Sequence, residues 1–198
     1  MERYIVLRIL LALFVLFTII FFVIRLATSG GDDESNETEV VAVEDQRLVL
    51  GEQNNSGSVV EFTMRGKTVA AENHRQIRFT ISQSQRRVEI ISGYDGKVID
   101  TMRLPNTANA YQEFLYAIEE EGFMTEKSEP TITDRNGVCG KGKQYHYKVK
   151  VNGQTRSDLW SASCSRKQGT FGGDRTDIRR LFERQFPEYS DFTRGVKL

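Results

Sequence analysis

The chain has 198 residues, of which 39% are hydrophobic and 10% aromatic, and its 27 basic residues balance 27 acidic ones. This neutrality excludes the uniformly basic profile of a histone-like protein, and the apolar content is too high for a chain disordered throughout. Two cysteines cannot build a disulfide scaffold or a four-thiolate zinc site, and two histidines leave little for a histidine-based metal centre. We therefore expect no cofactor and no metal.

Residues 4–27 are predicted to form a transmembrane signal anchor. Residues 9–24 are apolar except for one threonine, and a helix of roughly 20 such residues spans the hydrocarbon core of a bilayer. Arg8 and Arg25 lie near the ends of this run, where long side chains reach the headgroups. The alternative is a signal peptide cleaved after the small residues 27–29, although the apolar run is long for one.

The charges that flank the apolar run predict its orientation. Arg3 and Arg8 stand on the N-terminal side, whereas no basic residue occurs between Arg25 and Arg47 on the other side. Because positively charged flanks stay in the cytoplasm, we expect residues 1–3 to be cytoplasmic and the C-terminal part to lie outside. The predicted location is thus the cell membrane, with a single pass through the lipid bilayer.

Residues 28–57 are predicted to form an acidic, flexible linker. Arg47 is its single basic residue. Its acidic residues are Asp32, Asp33, Glu34, Glu37, Glu39, Glu44, Asp45 and Glu52. Such a segment buries too little apolar surface to order itself, and like charges extend it. Short apolar clusters at 40–43 and 48–50 could still add an edge strand to the domain that follows.

Residues 58–198 are predicted to form one extracytoplasmic α+β domain. Apolar residues alternate with polar ones near 59–64 and 77–81, which is the period of a half-buried strand. The turn 93–96 separates two further short apolar runs. Asn152-Gly153 lies between two alternating runs, where this dipeptide is a strong hairpin signal. Strands that follow one another in sequence favour an antiparallel sheet.

Two short helices are predicted to cover this sheet. Apolar residues recur at helical spacing over 111–118, with Gly122 as the stop, and again over 178–182, ahead of Pro187. The candidate N-caps are Asn106 or Thr107 for the first helix and Asp174 or Thr176 for the second.

Cys139 and Cys164 are predicted to form a disulfide at the end of the second hairpin. With the turn at Asn152-Gly153, the two cysteines are offset by two residues from direct pairing, and one bulge or a frayed strand end near Gly140 and Gly142 would bring them within disulfide range. Outside the cytoplasm such a pair is oxidised.

The same hairpin register places Tyr145 opposite Trp160, which favours a packed cross-strand pair over a ligand-stacking platform. The alternative role for a cysteine is a catalytic nucleophile with His146 or His74 as its base. No recognisable motif surrounds either cysteine, which favours the disulfide.

Four short segments carry a resemblance to known proteins. They are 110–114 (AYQEF), 137–139 (GVC), 159–164 (LWSASC) and 181–187 (LFERQFP). Together they resemble uncharacterised bacterial single-pass membrane-anchored proteins with a small exported domain, over about residues 60–198. The resemblance implies the same class and location for this chain, and it implies no activity.

The charges of the domain are sorted along the chain. Residues 105–134 hold seven acidic residues and one basic residue, whereas 135–180 hold eleven basic and three acidic residues, a net charge of +8. The disulfide would draw Lys141 and Lys143 towards Arg166 and Lys167. The glycine-rich segment 169–173 then leads into a helix start, where free amides attract anions. The candidate anion-binding residues are Lys141, Lys143, Arg166, Lys167, Arg175, Arg179 and Arg180.

These features together predict a membrane-anchored extracytoplasmic binding domain. The expected partner is an anionic polymer, lipid headgroups, nucleic acid or another envelope protein. Two alternatives stay open. The basic residues could be solvated strand faces of a structural envelope protein that has no ligand. Catalysis would need groups such as Glu72 and His74, two residues apart on one predicted strand face, or the carboxylates of Glu119–Glu121. The chain has no G-x-S-x-G, H-E-x-x-H or S-x-x-K motif, so we do not expect an enzyme.

Overall fold

The computed structural model describes residues 57–130, 132–165 and 167–198, which form a six-stranded antiparallel sheet with helices. The strands are β1 (Ser58–Arg65), β2 (Arg75–Ser82), β3 (Gln85–Ser92), β4 (Lys97–Pro105), β5 (Gln144–Val151) and β6 (Gln154–Ala162). The helices are α1 (Ala108–Glu120), α2 (Arg175–Arg184) and the short α3 (Tyr189–Phe192). The predicted α+β class and antiparallel sheet are confirmed, and α3 was not predicted.

Several predictions concern residues that lie outside this description. They are the cytoplasmic N-terminus 1–3, the transmembrane anchor 4–27, nearly all of the linker 28–57, and Arg166. Among the described residues, no helix is long and apolar enough to cross a bilayer. The location of the chain therefore stays a prediction from its sequence.

The strand order β4-β3-β2-β1-β5-β6 places the first strand inside the sheet. Strands β1 to β4 form a meander of consecutive antiparallel pairs. The chain then returns through α1, so that β5 pairs with the free edge of β1. Phe62 of β1 consequently lies between Phe79 of β2 and Tyr147 of β5.

The turn between β5 and β6 forms as predicted. Asn152 and Gly153 have φ angles of 51° and 78°, the positive values that a type I′ turn requires at both central residues. Val151 pairs with Gln154 across the turn. The preference of this dipeptide for a left-handed backbone therefore starts the hairpin in the predicted register.

A β-bulge makes the predicted pairing further along this hairpin wrong. The register shifts by one residue beyond Lys150 and leaves Arg156 as the extra residue of β6. Trp160 therefore pairs with His146, and the predicted pair with Tyr145 does not form. The bulge lies close to the turn rather than next to the cysteines, where the sequence pattern placed it.

One face of the sheet, here called the covered face, packs against α1 and α2. Phe182 of α2 is fully buried there and its ring lies 5.0 to 5.8 Å from the rings of four other phenylalanines. Those four are Phe62, Phe79, Phe114 and Phe123. Buried aromatic rings contribute large apolar areas, so this cluster holds the helices on the sheet.

Local capping fixes where the helices begin and end. The Thr107 hydroxyl accepts a hydrogen bond from the N–H of Ala110 at 3.2 Å, and the Asp174 carboxylate caps α2. Gly122 follows α1 with a φ of 75°, which glycine adopts without a steric penalty. One member of each predicted pair of N-caps is thus the cap observed.

The opposite face, here called the open face, is polar. It presents Glu61, Thr63 and Arg65 from β1, which alternate with the buried residues of the same strand. Arg78 of β2 and His146 of β5 stand on either side of Thr63 in the register. The sheet is therefore apolar on one side and mainly polar on the other, where Trp160 and Ile91 are also buried.

Candidate anion-binding site

Cys139 and Cys164 form the predicted disulfide, with their Cα atoms 5.7 Å apart. It joins the turn before β5 to the segment after β6. A Cβ atom on Gly142 would lie 2.5 Å from the Cys139 sulfur, so the bridge packs directly on this glycine. Because neither cysteine is a free thiol, the bond is evidence against the alternative of a cysteine nucleophile.

Three of the predicted anion-binding residues line one cavity. Lys143, Arg175 and Arg179 surround a space of about 380 Å³, here called the basic cavity. Glu183 is the only acidic side chain among the residues that line it, and apolar side chains including Met64 also contribute to its wall. With the terminal carboxylate of Leu198, which also lines the cavity, three cations face two carboxylates, a net charge of +1 that attracts an anion.

Two separate parts of the chain bring these cations together. Arg175 and Arg179 are four residues apart on α2 and therefore lie on the same helical face. Lys143 precedes β5 and is fixed through its backbone, since its N–H donates to the Ser163 hydroxyl at 2.8 Å and its carbonyl accepts from the Ser163 N–H. Ser163 directly precedes Cys164, so the disulfide end of the hairpin positions Lys143.

Arg175 is held in place before any ligand binds. Its guanidinium carbon lies 5.0 Å from the centroid of the Tyr145 ring, a cation–π distance. One of its nitrogens donates to the carbonyl of Ala162 at 2.8 Å. An arginine has five N–H groups, so these contacts fix its position without using all of its donors.

Arg179 and Glu183 form the ion pair of the cavity, with 3.3 Å between nitrogen and oxygen. Burial raises the pKa of the nearby Tyr189 hydroxyl, and the Glu183 carboxylate raises it further. Tyr189 therefore stays neutral at physiological pH and adds no negative charge to the lining.

The other predicted residues do not line this cavity. Lys141 and Lys167 are exposed in loops. Arg180 is adjacent to Arg179 but points away from it, because successive helical residues differ by about 100° in direction. It is exposed and pairs with Asp177 at 2.6 Å. Arg166 lies outside the described residues.

The start of α2 does not offer the free amides that the sequence pattern predicted. The Asp174 carboxylate accepts hydrogen bonds from the N–H groups of Thr176 and Asp177 at 2.7 and 3.0 Å. The glycine-rich segment before it packs on the sheet, since a Cβ on Gly169 would lie 2.2 Å from the carbonyl oxygen of Trp160. These glycines serve close packing, so the free amides expected at this helix start are not observed, and the anion site there stays a prediction.

The predicted pair of Glu72 and His74 does not share a strand face. Glu72 lies exposed in a turn, whereas His74 is buried before β2 begins. The His74 Nδ1 atom lies 3.2 Å from the Lys67 carbonyl, and its ring stacks on Tyr94 with 4.1 Å between centroids. Burial lowers the pKa of His74, so this ring is a neutral packing element.

A second cavity lies on the open face, around the small side chain of Thr63. It also measures about 380 Å³. The basic residues and the histidine that line it are Arg65, Arg78, Arg135, His146 and Lys148. None was predicted as an anion-binding residue, because their convergence depends on the pairing of β1 with β5, which no local pattern indicates.

Among the described residues, no group of three or more histidine, cysteine, aspartate or glutamate side chains could hold a metal ion. A comparison with protein-family models finds no match to this chain, and none of the curated proteins is significantly similar to it in sequence. The two cavities and their charges are therefore the basis for any functional conclusion.

Proposed function

We propose that the protein is a membrane-anchored binding protein whose domain outside the cytoplasm captures an anionic partner in the basic cavity. The observation that supports this most strongly is the convergence of Lys143, Arg175 and Arg179 on a cavity with a single acidic side chain, Glu183. Anions bind where clustered cations act in a partly enclosed, low-dielectric space.

The shape of the site favours one kind of partner. A flat bilayer surface meets protruding cations, whereas a concave cavity accepts a single charged group that projects from a larger molecule. We therefore favour a polymer of the cell envelope that carries phosphate or carboxylate groups. Arg179 would bind such a group with the N–H donors that its ion pair with Glu183 leaves available.

The location outside the cytoplasm rests on separate features. The apolar run within 4–27 and its flanking charges predict the anchor and its direction. The disulfide between Cys139 and Cys164 supports the same location, because such bonds persist in oxidising compartments. The resemblance to exported, single-pass bacterial proteins agrees with both.

The test uses the full chain in detergent micelles, titrated with polyphosphate at several salt concentrations. The variant Lys143→Gln/Arg179→Gln removes two charges from the cavity. The control Lys141→Gln/Arg180→Gln removes two charges from neighbouring positions outside it. We expect saturable binding that weakens with salt and falls at least about tenfold in the cavity variant only.

Two results would overturn the proposal. Equal losses in the two double variants would mean that net charge, and not the cavity, attracts the polymer. An absence of saturable binding to polyphosphate and to a carboxylate polymer without sugars, poly-L-glutamate, would favour a structural role without a ligand. A parallel titration with phosphatidylglycerol vesicles tests lipid headgroups, and preferential binding there would contradict the choice of a polymer.

A further inference from the structure

The cavity on the open face has the geometry of a second, independent binding site. In the register, Thr63 of β1 stands between Arg78 of β2 and His146 of β5. Side chains on one face of neighbouring strands stand about 5 Å apart, so a small residue ringed by long ones leaves a hollow. The turn with Tyr94 and Asp95 also lines it.

One basic side chain of the hollow, Arg65, takes no part in its ion pairs. Arg78 pairs with Glu89 at 2.9 Å, and Lys148 and Arg135 both contact Asp158, at 3.1 and 3.7 Å. The guanidinium of Arg65 has no ion pair or side-chain hydrogen bond within the described parts of the chain. An arginine has five N–H donors, and here they face a cavity.

His146 forms a neutral part of the wall of the hollow. Its Nδ1 atom lies 3.4 Å from an Arg135 nitrogen, and a guanidinium can only donate, so Nδ1 accepts and the ring proton resides on Nε2. Burial holds the ring neutral by lowering its pKa to about 4. Nε2 has no partner among the described residues and is closed off from solvent, so it does not bond a ligand in the hollow.

The acidic residues of the hollow define the class of ligand. Glu61 and Asp95 line it together with the amide of Gln76. Two carboxylates repel a multiply charged anion, but they accept hydrogen bonds from hydroxyl groups. One oxygen of Glu61 accepts from Lys150 at 2.9 Å, and the other has no described partner. A ligand that satisfies both sets of groups carries one negative charge and several hydroxyls.

We propose that this hollow binds a carboxylated sugar, whose carboxylate is held by Arg65 and whose hydroxyls donate to Glu61 and Asp95. The site lies on the opposite side of the sheet from the basic cavity and shares no lining residue with it. It recognises a different ligand from the phosphate- or carboxylate-bearing polymer of the basic cavity.

The experiment titrates the full chain in detergent micelles with galacturonate, and with galactose as the neutral analogue, by ligand-observed NMR. The variant Arg65→Gln removes the unpaired cation, and Thr63→Leu fills the hollow without changing charge. The control Arg103→Gln removes an exposed charge from the edge strand β4. Retained cooperative unfolding of each variant confirms that it is folded.

We expect saturable galacturonate binding that is at least about tenfold weaker in Arg65→Gln and in Thr63→Leu and unchanged in Arg103→Gln. Galactose should bind at least about tenfold more weakly than galacturonate. Equal affinity for both sugars, equal affinity for inorganic phosphate, or no effect of either hollow variant would each overturn the proposal. We expect the Lys143→Gln/Arg179→Gln variant to keep its galacturonate affinity. The proposals for the two cavities are therefore tested separately.

Discussion

The covered and open faces of the sheet are built from alternating residues of the same strands, yet different forces organise them. Phe62 is fully buried among aromatic rings, while the next residue, Thr63, lies under a polar hollow. On the covered face, apolar area and shape decide what fits. On the open face, ion pairs such as Arg78–Glu89 restrain the side chains. The strand period of two thus places the apolar core and the polar hollow on opposite faces of the same strands.

The largest expected effect comes from comparing substitutions on the two faces at the adjacent residues Phe62 and Thr63. Phe62→Ala should lower the free energy of unfolding by about 3–5 kcal/mol, because it opens a cavity in the aromatic cluster. Thr63→Ala should change it by less than about 0.5 kcal/mol. Chemical denaturation followed by Trp160 fluorescence measures both, and similar losses at the two positions would contradict the division between the faces.

The disulfide should rank next. Cys139 and Cys164 are separated by 25 residues, and closing a loop of this length stabilises the folded state by about 3 kcal/mol on the chain-entropy model. Cys139→Ser/Cys164→Ser should therefore lower the unfolding midpoint in thermal denaturation. Reductant should lower the midpoint of the unaltered protein by a similar amount and leave the double variant unchanged. If reductant also lowered the unfolding midpoint of the double variant, its effect on the unaltered protein could not be assigned to the disulfide.

The pH dependence of stability should originate largely on the open face. Burial and the charges of Arg135 and Arg65 lower the pKa of His146 from 6.5 to about 4, with Asp158 opposing them. As the pH falls, the unfolded chain binds this proton before the folded chain does. The contribution of the neutral His146 ring to the free energy of unfolding is therefore complete above about pH 6.5 and is lost as the pH falls towards 4. One proton limits the loss to about 1.4 kcal/mol per pH unit.

Denaturation between pH 7 and pH 4 measures this effect, with His146→Gln as the comparison. The variant should show a shallower fall, and the remainder includes His74, whose pKa burial also lowers. An unchanged slope in His146→Gln would assign the dependence to groups other than this ring.

The smallest expected effect concerns one end of a helix on the covered face. Asp174→Ala should cost about 1 kcal/mol, because the N–H groups of Thr176 and Asp177 lose their acceptor. Asp174→Asn keeps an acceptor oxygen and should cost much less. Thermal denaturation of the two variants compares them, and equal losses would mean that charge near the helix start, rather than capping, is responsible.

Local patterns predicted the parts of the fold that local chemistry decides. The Asn152-Gly153 turn, the strands of the meander and the cap at Thr107 all follow from residues close together in sequence. The bulge at Arg156 does not, because nothing in this residue type demands an extra position in the strand. The shift it causes moved Trp160 from Tyr145 to His146.

The candidate sites also differ in how far local sequence predicts them. Helical spacing places Arg175 and Arg179 on one face and turns Arg180 away, so part of the basic cavity could be predicted from the sequence. The hollow above Thr63 could not, because it needs β5 beside β1, a pairing across more than eighty residues. Summing charge along the chain identified a basic segment but not the side of the sheet on which each cation lies.

Because β1 lies inside the sheet, the sheet can be completed only after β5 has been synthesised. Ser58 pairs with Val151, so a chain synthesised from its N-terminus presents β1 to β4 long before β5 exists. Until then one edge of β1 offers unpaired backbone groups beside the apolar side chains of Val60 and Phe62. Late arrival of β5 makes folding slow relative to a local meander, and during this interval a nascent chain needs protection from edge-to-edge association.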